Sequence, residues 1–185
     1  GEGYSGPAGG MGGGIMRQVI SASRRTDIPL YYPRWLAGVL ERGWVEVPQP
    51  YGGPPRRVEV RPEVVHSIVL WSKSYQRVLA NEGGVREALA CFDQLYCHLT
   101  ITGLGGTALE PNVPPWEEVA EELPAVVELT GDARRVSVRF DPIVHWYEGE
   151  EIRSNLPKAS EVFAGAAESG IEAMRISFAT LYAKV

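Results

Sequence analysis

The residues best suited to chemistry stand at the ends of segments that alternate apolar with polar side chains. Arg24-Arg25-Thr26-Asp27 follows residues 18–23, and Trp71-Ser72-Lys73 ends residues 67–71. Thr100 and Thr102 close residues 95–102, Arg139 and Asp141 end residues 135–140, and Ser177 ends residues 173–178. Two adjacent guanidinium groups offer planar forks for a carboxylate or phosphate. Asp27 could orient those forks or cap a helix starting near Pro29. Lys73 could hold an anion, act as a nucleophile if its pKa is lowered, or stand exposed at a loop start. Arg139, on one strand face with Ser137 and Asp141, needs a partner if it points inward, and Asp141 or Asp27 would serve. The candidate catalytic set is Asp27, Lys73 and Asp141. The candidate binding set is Ser23, Arg24, Arg25, Thr26, Trp71, Thr100, Thr102, Arg139 and Ser177. Trp71 could stack on a planar ligand or pack in the core. His98 shares its face with Thr100 and Thr102, where it could move protons or be a hydrogen-bonded interior residue.

These residues need elements to hold them. Cys97-His98-Leu99-Thr100-Ile101-Thr102, Val136-Ser137-Val138-Arg139-Phe140-Asp141 and Arg175-Ile176-Ser177-Phe178 alternate with a period of two, which reads as strand. Each lies between helix-like segments, the context of a parallel sheet, whose strands are ordinarily apolar on both faces. A polar second face therefore points to a lumen or cleft. Pro33 opens a helix that stops at Gly43. Val85, Ala88, Leu89 and Phe92 mark another, and Trp116, Val119, Leu123 and Val126 a third, which Pro124 should kink or split. Leu156, Val162 and Phe163 mark the last. Residues 44–47 and 57–60 flank a Pro/Gly-rich loop and read as a hairpin outside the main sheet.

The order β-α-hairpin-β-α-β-α-β-α-β predicts an α/β fold of parallel βα-repeat type: a partial or complete TIM-like (β/α) barrel with a small inserted β-hairpin near residues 44–61. Residues 1–16 read as a flexible Gly-rich tail, and 17–185 as a single α/β domain lacking its natural C-terminal part. The edge of strand five is expected to be covered by a missing segment or a second subunit.

A net charge of −5 argues against broad phosphate-driven nucleic-acid binding. The region from Arg17 to Arg61 is locally basic, whereas residues 110–131 hold six glutamates and no base, reading as a solvated helix face. Two cysteines, Cys91 and Cys97, match no metal or redox spacing. They read as packing residues in a reducing cytoplasm. No apolar run is long enough to span a membrane, and no histidine pair has the spacing of a zinc site.

Several motifs resemble a known family. They are Ile20-Ser21-Ala22-Ser23-Arg24-Arg25-Thr26-Asp27-Ile28-Pro29, Val69-Leu70-Trp71-Ser72-Lys73, Leu109-Glu110-Pro111-Asn112-Val113-Pro114, Arg139-Phe140-Asp141-Pro142-Ile143 and Ile176-Ser177-Phe178-Ala179-Thr180-Leu181-Tyr182. In this order they are similar to the bacterial family called domain of unknown function eighteen-forty-eight. The resemblance runs from Gln18 to Tyr182, with Ser72 where the family more often has threonine. It implies a TIM-like barrel. Longer members carry a C-terminal cysteine cluster resembling the iron–sulfur motif of radical S-adenosylmethionine enzymes and of spore-photoproduct-lyase-like repair proteins. That cluster has no counterpart in this sequence, so an iron–sulfur cluster and S-adenosylmethionine are expected only with a further C-terminal region.

The resulting expectation is an enzyme-like barrel binding a small anionic or polar substrate at the carboxyl ends of its strands, with no metal in this chain. The alternative is a non-catalytic anion-sensing or partner-binding module, using the strand-five edge and the loop around Tyr51. One concave pocket gathering the polar ends favours the first; scattered ends and a large apolar patch favour the second.

Overall fold

The computed structural model describes residues 17–23 and 25–180. The expected flexible tail at 1–16, Arg24 and residues 181–185 lie outside the described residues. In chain order the elements are β1 (Gln18–Ala22), α1 (Ile28–Tyr31), α2 (Pro33–Arg42), β2 (Trp44–Val47), β3 (Arg56–Glu59), β4 (Val65–Ser72), α3 (Gln76–Leu79), α4 (Val85–Ala90) and β5 (Leu95–Thr100). There follow α5 (Trp116–Glu121), α6 (Leu123–Thr130), β6 (Val136–Ile143), β7 (His145–Glu148), β8 (Glu151–Ser154), α7 (Ala159–Glu168) and β9 (Ala173–Phe178).

Local chemistry sets the boundaries as expected. Pro33 begins α2, and Gly43 ends it in the left-handed conformation at φ 79°. There a side chain would be strained and would meet Arg61. Pro124 stands at the start of α6, dividing the third helical stretch into α5 and α6, because its ring cannot continue the α5 hydrogen-bond ladder.

Five strands form one sheet in the order β1-β4-β5-β6-β9, every neighbouring pair parallel. The order follows the chain in one direction. One face carries Ile68, Leu70, Cys97, Leu99, Val136, Val138 and Phe140 into the core, packed against Leu36, Leu40, Val85, Leu89, Leu123, Val126 and Val162 from the helices. Trp71, His98, Thr100, Arg139 and Asp141 take the opposite parity and lie outside that core cluster. The two-residue alternation thus separates a helix-covered apolar face from a polar one.

Four expectations need correction. Of the partial and complete barrels expected, the complete one is not formed among the described residues, where β1 and β9 are the two edges of an open parallel sheet. A second hairpin, β7–β8, follows β6 and went unread in the sequence, while the expected β2–β3 hairpin is present and separate from the main sheet. Cys97 is buried, but Cys91 is exposed just beyond α4, where the chain has turned its apolar side to the sheet. Two of the six glutamates expected on a solvated face, Glu110 and Glu122, turn inward instead.

Candidate functional site

The loop after β1 turns sharply, with Ser23 Oγ accepting from the Arg25 amide at 3.0 Å. Asp27 then caps α1: its Oδ1 accepts from the Leu30 amide at 3.0 Å. The same carboxylate ties this loop to the end of β4. Ser72 Oγ donates to Oδ1 at 2.7 Å, and the Lys73 amide donates to Oδ2 at 2.7 Å. Among the described residues these three bonds go to Leu30, Ser72 and Lys73 and none to Arg25, so of its two readings the helix cap is the one seen. The carboxylate also joins two strand ends. Burial pushes its pKa above the ordinary carboxylate value, opposed by the bonds from Ser72, Lys73 and Leu30.

Lys73 Nζ pairs with Glu110 Oε1, and Thr102 Oγ1 donates to Glu110 Oε2 at 2.6 Å. The long β5–α5 connection brings Glu110 back over the strand ends. Gly105 makes that path possible, since a Cβ there would lie 1.9 Å from the Pro114 carbonyl oxygen. Thr102 is buried and holds this carboxylate rather than facing the cleft.

Arg139 pairs with Asp141, the first of the two partners its inward direction required, and Ser177 Oγ donates to the other oxygen of Asp141. A guanidinium–carboxylate–hydroxyl chain thus links β6 to β9. The Arg139 guanidinium stands 5.0 Å from the centre of the Trp71 ring. Trp71 also stacks on His98, ring centres 4.0 Å apart and planes 21° apart, and its Nε1 donates to Ser21 Oγ at 2.9 Å. Burial, together with the charges of Arg175 and Arg139, pushes the His98 imidazole down to about 4. His98 is accordingly neutral near pH 7.

Ser23, Arg25, Thr26, Asp27, Trp71, Ser72, Lys73, Thr100 and Arg139 line one cleft of about 360 Å³. Asp141, Thr102 and Ser177 stand behind it, acting on Arg139 and on Glu110. The cations differ in their freedom. Lys73 and Arg139 are each paired, whereas the exposed Arg25 guanidinium makes no hydrogen bond or ion pair among the described residues. Arrival of an anionic group at Arg25 would therefore break no existing pair.

Sequence reasoning left three supporting residues without a role. Glu110 lay inside a quoted motif. Glu122 accepts from Ser74 Oγ at 2.5 Å and from the Tyr75 amide at 2.6 Å, fixing the loop after Lys73, and burial raises its pKa. Asn155 is buried, donates to the Thr102 and Pro142 carbonyls at 2.8 and 2.9 Å, and accepts from the Val144 amide at 2.8 Å. It clamps the ends of β5 and β6 together. The only advance signal was a lone Asn before a helix-like stretch.

Among the described residues no group of three or more His, Cys, Asp or Glu is placed to hold a metal ion, and no helix is long and apolar enough to cross a membrane. No curated protein and no solved structure matches this chain. A family model does match, over residues 19–185, and the chain belongs to the family it describes, Domain of unknown function (DUF1848).

Proposed function

We propose that the cleft at the carboxyl ends of β1, β4, β5 and β6 binds a small polar molecule bearing one anionic group. The observation that carries this reading is the convergence of Arg25, Lys73 and Arg139 with Asp27 on one solvent-reachable cleft. Ligands of parallel α/β folds bind at such strand ends. Arg25 supplies the unpaired charge, and the paired Lys73 and Arg139 supply further donors. Asp27 engages both of its oxygens in three bonds within the protein and acts as a positioning residue, holding Lys73 and the β1 loop in place. His98, stacked on Trp71 and pushed down to about 4, is a weak base at neutral pH and serves as a neutral support for the Trp71 ring.

The same reading treats the sheet as a consecutive sector of a TIM-like barrel, on the support of its chain-ordered parallel strands and of helices on one face only. The polar face would then be the lumen side. Enzyme activity follows as the leading class, and two free cysteines support a cytoplasmic setting. Radical chemistry finds no support in the residues present. Cys97 is buried beneath the sheet, burial pushing its thiol up to about 12, and Cys91 is exposed beyond α4, so the two do not fit an iron–sulfur cluster.

A second reading, a partner-binding module, is favoured by one observation, a larger and mainly apolar groove beside β1. The test that separates them uses inorganic phosphate as probe in thermal unfolding. A phosphate-dependent rise in Tm that Arg25→Ala removes, with unfolding otherwise unchanged, supports the cleft reading. Loss of one charge-assisted contact weakens binding roughly 10–100-fold. A rise in Tm that Arg25→Ala leaves intact contradicts it.

A further inference from the structure

Two arginines meet on the polar face of the main sheet. Arg139 of β6 and Arg175 of β9 are partners in the parallel register. They share a face, because Ser177, two residues beyond Arg175, reaches Asp141, two residues beyond Arg139. Like charges at facing positions repel unless something negative lies between them. Arg139 Nη2 donates to Asp141, which leaves its Nε and Nη1 without a bond among the described residues. Arg175 makes no hydrogen bond or ion pair there. Two guanidinium groups thus stand against one carboxylate.

The adjoining row also lacks partners. His98 of β5 and Ser137 of β6 are register partners, each two residues before Thr100 and Arg139. Ser137 is 6% exposed, and its Oγ, like His98 Nδ1, is closed off from solvent and makes no hydrogen bond. Buried polar atoms are nearly always paired, so two neighbouring orphans mark this face as a place for a polar occupant. Burial, then the charges of Arg175 and Arg139, pushes His98 down to about 4. Both guanidinium groups therefore lie near that ring, and the Arg175 side chain leans over the face of the sheet. Arg139 in turn lines the cleft that it shares with Arg25. In the strand order, β6 lies between β1, whose loop carries Arg25, and β9.

We propose that the ligand of the cleft carries two anionic groups, one held by Arg25 and the second held between Arg139 and Arg175. The class is a small molecule with two carboxylate groups, two phosphate groups, or one of each. This deepens the reading of the cleft given above and rests on it. The second group takes the idle donors of Arg139 and Arg175 in forked bonds and removes their repulsion, and the Arg139–Asp141 pair stays intact. It also brings an acceptor to the face on which Ser137 and His98 have none.

Isothermal titration calorimetry at neutral pH and fixed ionic strength tests this. The two-group probes are succinate, glutarate and phosphonopropionate; the one-group probes are butyrate and propylphosphonate. At least one two-group probe should bind roughly 10-fold or more tighter than its one-group counterpart. Arg175→Gln should bring that ratio close to unity, and Arg175→Lys, which keeps the charge, should retain part of it. Arg25→Ala should weaken probes of both kinds. Arg175 is exposed, and circular dichroism checks the fold of its variants; the wild-type ratio decides alone if they do not fold. Equal affinity for the two kinds of probe, or a ratio that Arg175→Gln leaves intact, overturns the second subsite while the cleft reading stands. Binding of neither kind, or binding indifferent to Arg25→Ala, overturns the cleft reading and this inference with it.

Discussion

Replacing Asp27 by Ala removes three hydrogen bonds at once: those from Leu30, Ser72 and Lys73. Loss of a helix cap costs about 1 kcal/mol. Loss of the charge-assisted bond that leaves the Lys73 amide without a partner costs about 1.5–3 kcal/mol. The two overlap, since one carboxylate makes both, so the expected total is about 3 kcal/mol. For a chain of this length that lowers Tm by roughly 6–12 °C. Asp27→Asn keeps an acceptor for Leu30 and Ser72 but turns an amide NH2 or a misplaced oxygen towards Lys73, so it should cost about 1–3 kcal/mol. The pH dependence has a definite sign. Burial raises the Asp27 pKa in the folded protein above 3.8. Ionisation is then harder folded than unfolded, and the advantage of wild type over Asp27→Asn is greatest below that pH and shrinks as pH rises through the folded value. Urea unfolding by circular dichroism, run at several pH values, measures all of this. A loss within about 0.5 kcal/mol for Asp27→Ala, the range of ordinary surface changes, refutes the reasoning that this carboxylate joins β1 to β4.

Three further outcomes follow from the same geometry. Asn155→Ala should destabilise the protein by about 2–3 kcal/mol, because the Val144 amide and the carbonyls of Thr102 and Pro142 lose their buried partner; denaturant titration checks it. Cys91 should react with a thiol reagent in the folded protein, whereas Cys97, with its thiol pushed up to about 12, should react only on unfolding. His98 should titrate by NMR at about 4. Because the unfolded imidazole binds its proton more readily, this residue's contribution to stability is lost as pH falls from about 6.5 towards that value. His98→Gln should flatten that slope.

Much of the fold was legible because burial writes itself into the chain with a fixed period. Leu95, Cys97 and Leu99 alternate with Tyr96, His98 and Thr100, and the structure sorts them to opposite sides of the sheet. The positions of Asp27, Lys73 and Arg139 were readable for a related reason: a polar group at the carboxyl end of a parallel strand is left where helices do not cover it. What stayed hidden depends on contacts distant in sequence. Glu110 stands 37 residues from Lys73, and nothing in its own neighbourhood marks it as turning inward. Asn155 acts on Thr102, 53 residues away, as a single side chain without a pattern. The β7–β8 hairpin turns at Gly149-Glu150 without the Pro/Gly-rich loop that marked the equally short β2 and β3 strands. Closure of the sheet was equally unreadable, because it is decided by what meets the β1 and β9 edges rather than by the strands themselves.

The central claim is that separate strand ends form one anion-binding cleft, and amide-resolved NMR titration with inorganic phosphate tests it most directly. The account predicts that resonances of Arg25, Thr26, Lys73 and Thr100 and the indole N–H of Trp71 shift together along one saturable curve. Shifts confined to exposed arginines elsewhere, such as Arg57 and Arg134, or different curves for the different strand ends, would contradict it.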